Sequence, residues 1–258
     1  MTDIHPTAIV HKKANLADNV KVGPYAIIGE FVSIGDYTEV MAHAIIEGRT
    51  TIGSMNKIFP AASIGLPCQD LKYNGEPTKL VIGNNNQIRE FATIHLSATL
   101  DEDTVVGSNN LLMAYSHIAH NCQIGSNVIL ANAVNLAGHV HIHDFVTIGG
   151  MTAVHQFVEI GKYAFVGGAS GIGKDVPPFT RGQGSPKYKV IGINTIGLAR
   201  KGFTEDQIES IIHIYKIFYQ KSFNVTQAIE HIEKQKNLTE EQLLFFNFCK
   251  NSKRGITK

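Results

Sequence analysis

The sequence predicts a mainly β chain, a parallel β-helix of hexapeptide coils followed by a compact α-helical C-terminal domain. Three observations predict it. From Ile4 to Ile172 every sixth residue is aliphatic through twenty-nine consecutive slots, with Asp70 and Glu76 the only failures. The slot two residues earlier is usually small, as at Ala8, Ala26, Ala44, Ala62, Ala92, Thr152 and Ser170. After Pro177-Pro178 the sixfold pattern stops, and beyond Gly202 apolar residues recur at helical spacing.

A helix turns about 100° per residue, so a step of six lands roughly 240° from its start and no helix face can hold the pattern. A strand alternates faces, so the same step keeps every aliphatic on one side. Paired large and small inward slots suit a narrow interior of stacked coils, and hexapeptide repetition is the signature of a parallel β-helix. Three six-residue sides complete a coil of eighteen residues that rises about 4.8 Å, so residues eighteen apart become vertical neighbours. The failed slots lie in Leu66-Pro67-Cys68-Gln69-Asp70-Leu71-Lys72-Tyr73-Asn74-Gly75-Glu76-Pro77-Thr78. This segment must leave the prism as a loop, placed at 66–80. Downstream, Thr204 and Gln207 form a capping-box pair ahead of Ile208, Ile211, Ile212, Tyr215, Ile217, Phe218 and Tyr219. A second helix is expected around Thr226 to Lys236, and Thr239 with Gln242 opens a third at Leu243-Leu244-Phe245-Phe246. The chain divides into a β-helix over 1–178 and a connecting segment with helices over 179–258.

A chain of 258 residues that is 43% hydrophobic and 17% charged has ample material for a core. Its formal net charge of +1 points to neither nucleic acid nor a membrane surface. The start, Met1-Thr2-Asp3-Ile4-His5-Pro6, has no signal-peptide character, and no run reaches transmembrane length, so a cytoplasmic protein without an integral membrane segment is expected. Cys68, Cys122 and Cys249 have no metal-site spacing and are odd in number, and Cys122 falls in an inward slot where a thiol is packing. From Gly192 onward ten Lys/Arg face seven Asp/Glu, with Lys250, Lys253, Arg254 and Lys258 near the end. Such a tail could dock an acidic partner, against the plainer reading of a solvated face.

The chemistry rests with the histidines, twelve in all. Sixfold counting puts His120, His139 and His155 on one side of the prism in consecutive coils, near mid-side positions where side chains point outward. Gly138 lies eighteen residues beyond His120, directly above it, as His139 lies above Asn121. Two chemistries could use that face. Clustered neutral imidazoles bind zinc, or one imidazole acts as general base while a nearby backbone N–H receives an oxyanion. Asn121 beside His120, and a glycine that permits close backbone approach, favour the second. Spacing decides no further.

Several motifs are more specific: Gln69-Asp70-Leu71-Lys72-Tyr73 with Gly75-Glu76-Pro77-Thr78, His117-Ile118-Ala119-His120, and Leu136-Ala137-Gly138-His139. With them go Gly149-Gly150-Met151-Thr152-Ala153-Val154-His155-Gln156-Phe157, Asp175-Val176-Pro177-Pro178, and Gly197-Leu198 through Arg200 with Gly202-Phe203. On these motifs the chain resembles the UDP-N-acetylglucosamine O-acyltransferase family, which opens lipid A biosynthesis. The resemblance runs through essentially the whole length. It implies a homotrimer of left-handed β-helices, a hand that ordinary crossover rules would not predict. It also implies transfer of an (R)-3-hydroxyacyl group from acyl carrier protein to the 3-hydroxyl of UDP-N-acetylglucosamine, with no cofactor and no metal.

Carried over at matching positions, the resemblance makes His120 the general base and the Gly138 N–H the oxyanion donor. His117, His139, His155 and Gln156 would position sugar and acyl chain, and Asp70, Lys72, Asn194 and Arg200 would hold the nucleotide sugar. Gly168 matches the position that gauges acyl length; without a side chain there, a long acyl group of around myristoyl length is expected. One position departs from the family pattern, because the catalytic histidine is commonly followed by Asp and this chain has Asn121. An amide oxygen can still fix the tautomer but adds no charge to stabilise an imidazolium. The acid limb of the pH–rate profile should therefore lie lower than in an Asn121→Asp variant. The alternative within the enzyme class is an acceptor with a 3-amino group. A sister N-acyltransferase usually carries an extra N-terminal domain, for which a ladder starting at Ile4 leaves no room. More remote are a trimeric zinc hydro-lyase and a noncatalytic scaffold.

Overall fold

A computed structural model describes residues 2–258. Short strands, most of two residues, fall into three sheets. Sheet A holds eleven strands from Asp3–Ile4 onward, sheet B nine from Ile9–Val10, and sheet C eight from Asn15–Leu16. Each coil gives one strand to A, B and C in turn, paired in parallel with the coils below and above. The outcome is a prism with corners A–B, B–C and C–A.

The sixfold ladder is its interior. Ile28, Ile46, Ile58, Ile64, Ile88 and Ile94 are at most 1% exposed, with Ala26, Ala44, Ala62 and Ala92 fully buried between them. Each such aliphatic contributes roughly 1.5–3 kcal/mol by leaving water. Residues with φ near +60° turn the corners, among them Asn121, His139 and Phe157 at B–C. A non-glycine residue there costs about 1–2 kcal/mol. Contacts up the corner offset part of it, as where His139 stacks on Phe157 with centroids 4.6 Å apart.

Register shows where the chain leaves the prism. Most coils step by eighteen residues, as from Asp3 to Lys21 and from His117 to Asn135. The step is thirty where Ser63 pairs Thr93, and twenty-four where Thr93 pairs His117. Twelve extra residues form the expected loop, bounded by the strands Ser63–Leu66 and Lys79–Ile82. Six more form a second excursion between Thr93–His95 and Thr104–Val106. Sixfold counting does not detect this one, because an insertion of six leaves the ladder in phase. Leu100, counted there as inward, is 66% exposed.

Two further expectations are corrected at the top of the prism. Pro177-Pro178 does not stop the sheet: Phe179 turns a corner at φ 63°, and Thr180–Gln183 pairs in parallel with Phe165–Val166. Lys189–Ile193 then returns antiparallel. Proline restricts its own φ but leaves the residues after it free to pair. Helix also begins before Gly202, with α1 at Thr195–Arg200 capped by Asn194. Then come α2 (Glu205–Tyr219), α3 (Val225–Glu233) and α4 (Glu240–Asn251). The capping boxes at Thr204–Gln207 and Thr239–Gln242 are formed, and a third, Asn224–Gln227, opens α3. Phe218, Ala228, Ile232 and Phe245 bury the faces these helices share. Beyond α4 the chain comes back to the β-helix, where Ile256 bridges Asp175.

Candidate active site

Both excursions leave the prism between a sheet B and a sheet C strand, so both rise from the B–C corner. The histidines stand at that same corner rather than in mid-side. His120, His139 and His155 follow the sheet B strands His117–Ile118, Asn135–Leu136 and Ala153–Val154. A period of six gives the phase of a residue but not where its strand ends and turns.

At the centre is His120, with Gly138 one coil above. A Cβ on Gly138 would lie 2.4 Å from Cε1 and 2.5 Å from Nε2 of the His120 ring, so only glycine fits over the imidazole. The Gly138 N–H donates to no acceptor among the described residues. Beside the ring, Asn121 is fully buried. Its Oδ1 accepts from the Ala98 N–H at 3.0 Å, and its Nδ2 donates to the Glu102 carbonyl at 2.9 Å and to Ser97 Oγ at 2.7 Å. A backbone donor and a backbone acceptor thus fix which end of the amide is oxygen. His120 Nδ1, 2.9 Å from that oxygen, must be the donor. The neutral ring therefore carries its proton on Nδ1 and leaves Nε2 bare.

Nε2 faces Asp70 Oδ2 of the first loop at 3.9 Å, too far for a hydrogen bond. His139 meets His120 edge-on at 5.2 Å. On the strand leading into His120, His117 holds Nδ1 at 2.7 Å from Thr93 Oγ1 of the coil below, and burial, reinforced by His95 and His120, pushes its pKa down to about 4. It is a neutral hydrogen-bonding group. His95 is absent from the residues the sequence singles out. It is buried, edge-on to His117 at 4.8 Å, with Nδ1 unpartnered and its basicity lowered by burial. The hidden excursion explains the omission: counting by eighteen puts His95 a third of a coil from its true neighbours. Together Gln69, Asp70, His95, His117, His120 and Leu136 line a cavity of about 340 Å³. Cys122, behind it, is buried with its thiol pushed up to about 12, as expected of packing.

The chain thus brings Asp70, His117, His120, Asn121, Gly138 and His139 together. His155 and Gln156 lie one coil higher, exposed, with His155 Nδ1 3.3 Å from Arg254 Nη2. Lys72 is exposed and gives only its backbone N–H to Asp70, at 2.9 Å. Three residues lie elsewhere on the same chain. Asn194 caps α1 and donates to the Tyr163 carbonyl at the C–A corner, and Arg200 ends that helix, exposed. Gly168 turns the A–B corner, where an added Cβ would lie 3.0 Å from the Gly150 carbonyl.

Residues 175–257 match the second domain of the Udp N-acetylglucosamine O-acyltransferase model, and 103–138 match the bacterial transferase hexapeptide model. The acyl-[acyl-carrier-protein]--UDP-N-acetylglucosamine O-acyltransferase of Thermodesulfovibrio yellowstonii is 47% identical, and that of Halorhodospira halophila 46%, each over the whole of both chains. The Acinetobacter baumannii structure superposes with a TM-score of 0.94 at 43% identity over 99% of both chains. The Francisella novicida UDP-N-acetylglucosamine acyltransferase gives 0.95 at 41% identity, over 98% of this chain and 93% of that one. With full-length relatives at this identity and a corner built as described, the chain belongs to the UDP-N-acetylglucosamine O-acyltransferases and has their left-handed β-helix with a helical C-terminal part.

Proposed function

We infer that this protein transfers an (R)-3-hydroxyacyl group from acyl carrier protein to the 3-hydroxyl of UDP-N-acetylglucosamine, the first step of lipid A biosynthesis. The observation that carries the mechanism is the bare Nε2 of His120 beneath the unpaired Gly138 N–H. Nε2 takes the proton of the sugar 3-hydroxyl as its oxygen attacks the thioester carbonyl. The tetrahedral oxyanion is received by the Gly138 N–H, a contact of a kind whose loss commonly costs on the order of 100-fold or more. Collapse expels the carrier thiolate, which recovers the proton from Nε2. Asp70 accepts from a sugar hydroxyl, neutral His117 lines the cavity, and His139 stands edge-on against the His120 ring.

Asn194, Arg200 and Gly168 stand on other corners of the chain, so they serve this site only when supplied by neighbouring copies. That supports a homotrimer, with cyclic closure giving three equivalent sites. A cavity of about 700 Å³ lined by Lys174, Lys187, Lys189, Lys250 and Lys258 tops the prism beside the helices and suits an acidic carrier. We read 1–178 as the β-helical unit that carries the site and 179–258 as the unit that closes it, in a cytoplasmic enzyme. None of the helices is long and apolar enough to cross a membrane among the described residues. The test is incubation with UDP-N-acetylglucosamine and a series of 3-hydroxyacyl carrier proteins, read by mass spectrometry. An acylated sugar nucleotide is expected, and silence with every chain length would sink the reading.

A further inference from the structure

The family pattern places a carboxylate beside the catalytic imidazole, and this chain places an amide there. The structure shows what else that amide holds. Asn121 Nδ2 donates not only to Ser97 Oγ and the Glu102 carbonyl but also to Thr99 Oγ1, at 3.0 Å. Ser97 Oγ in turn donates to the Glu102 carbonyl and contacts the Thr99 carbonyl. With Ala98 N–H on Oδ1, one buried side chain grips four residues of the second excursion. The grip brings the Glu102 carboxylate over the histidines, with Oε2 3.7 Å from His139 Nδ1 and Oε1 3.8 Å from His141 Nε2. His139 is clamped between Phe157, stacked at 4.6 Å, and His120, edge-on at 5.2 Å.

We propose that Glu102 is a positioning residue for the acyl transfer: held by Asn121 through the six-residue excursion, it orients His139 and supplies the negative charge that the amide beside His120 does not. The inference rests on His120 being the base. Several groups face the two rings. Asp70 lies against His120 from the first loop, His95 approaches it from the coil below and His117 from the strand of its own coil, and Asp101 and Glu102 face His139 from the excursion. Burial and the nearby His120 lower the basicity of His139, and Glu102 and Asp101 oppose them. When His120 gains its proton in the transition state, Glu102, with Oε2 3.7 Å from His139 Nδ1, is the excursion carboxylate that faces a nitrogen of the adjoining ring.

The arrangement also means that Asn121 is not simply a weaker aspartate. In an Asn121→Asp enzyme a carboxylate oxygen would replace a donor 2.9 Å from the Glu102 carbonyl, setting acceptor against acceptor. The charge is gained beside His120 and the excursion is released.

Glu102→Gln separates the two effects, because the backbone carbonyl that Asn121 grips is kept. The variant is compared with wild type in the acyl-transfer assay across pH, with hydrogen exchange of segment 97–103 recorded in parallel. Expected are a roughly three- to tenfold lower kcat, an acid limb of kcat/KM displaced downward by about half a pH unit, a KM for the sugar nucleotide within about twofold, and wild-type exchange. Removing a negative charge lowers the basicity of the imidazole, hence the downward direction. An unchanged pH profile overturns the proposal, whether or not kcat falls. Asn121→Asp should move the limb upward and raise exchange of 97–103; unaltered exchange would overturn the grip. If wild type itself forms no acylated sugar nucleotide, what fails is the function assigned above, so the two failures are distinguishable.

Discussion

A single methyl group decides whether His120 can stand where it does. At Gly138 it would overlap the ring at 2.4 Å from Cε1, so Gly138→Ala must push the imidazole aside or lift the coil that offers the N–H. We expect kcat to fall on the order of 100-fold or more while the melting temperature stays near wild type, since the clash is with a side chain at the surface corner. A near-normal kcat would mean that neither the ring position nor the 138 N–H matters. His117 adds a pH dependence of stability. Its pKa is pushed from the ordinary 6.5 to about 4 in the folded state, so the unfolded chain takes up the proton first as pH falls. The stabilisation is complete above pH 6.5 and lost on the way down to about 4, for at most about 3 kcal/mol. Melting at pH 7.5 and at pH 5 should differ less in His117→Asn than in wild type. Equal differences would relieve His117 of that role. His120, Gly138 and Asn121 were legible in the sequence because they are local neighbours or one coil apart in an uninterrupted stretch. The tautomer was not, since it depends on Ala98 and Glu102, backbone groups some twenty residues away.

At the scale of elements, the C-terminal segment is latched by Asp175. This buried carboxylate accepts from Ser252 Oγ at 2.6 Å and from the Glu159 N–H at 2.9 Å, and its backbone exchanges bonds with Gly255 and Thr257. Tyr219 of α2 ties in the same segment through Thr257. Asp175→Ala strands two partly buried donors and should cost about 1–3 kcal/mol. The checks are a lower melting temperature and new protease cleavage after residue 251; cleavage as slow as in wild type would show that the helices hold the tail unaided. Capping boxes at Thr204 and Thr239 were legible because a Thr and a Gln three residues apart ahead of an apolar run carry their own geometry. Asn224 with Gln227 uses the same geometry, and the weaker apolar run behind it hid the box. Strand Thr180–Gln183 was hidden by the two prolines before it, although proline constrains itself and its predecessor rather than the residues after it.

For the whole molecule, the separation of His120 from Arg200 and Gly168 makes the assembly testable. Co-expression of His120→Ala with Arg200→Ala chains should restore activity to about a quarter of the sites if each site draws on two copies and mixing is random. Activity no higher than that of either variant alone would put each site within one chain. A Gly168→Met enzyme should likewise shift to shorter acyl groups, and undiminished preference for the longest would remove Gly168 as the gauge.

The division between sequence and tertiary structure has a physical basis. A β-helix repeats one local rule, an aliphatic inward every six residues, so the ladder from Ile4 to Ile172 determined the coils and their core, and the motifs on it and beyond it as far as Phe203 identified the family. That rule counts only to six. It does not register the six extra residues between His95 and Thr104, because an insertion equal to the period changes no phase. Only the three-dimensional register revealed that both excursions and the histidines share one corner, that Asn121 reaches back to grip Glu102, and that Arg200 stands at another corner, whereas sixfold counting by itself already puts Gly168 on a different side from His120. Those relations are fixed by which coil lies on which, through hydrogen bonds between residues far apart in the chain.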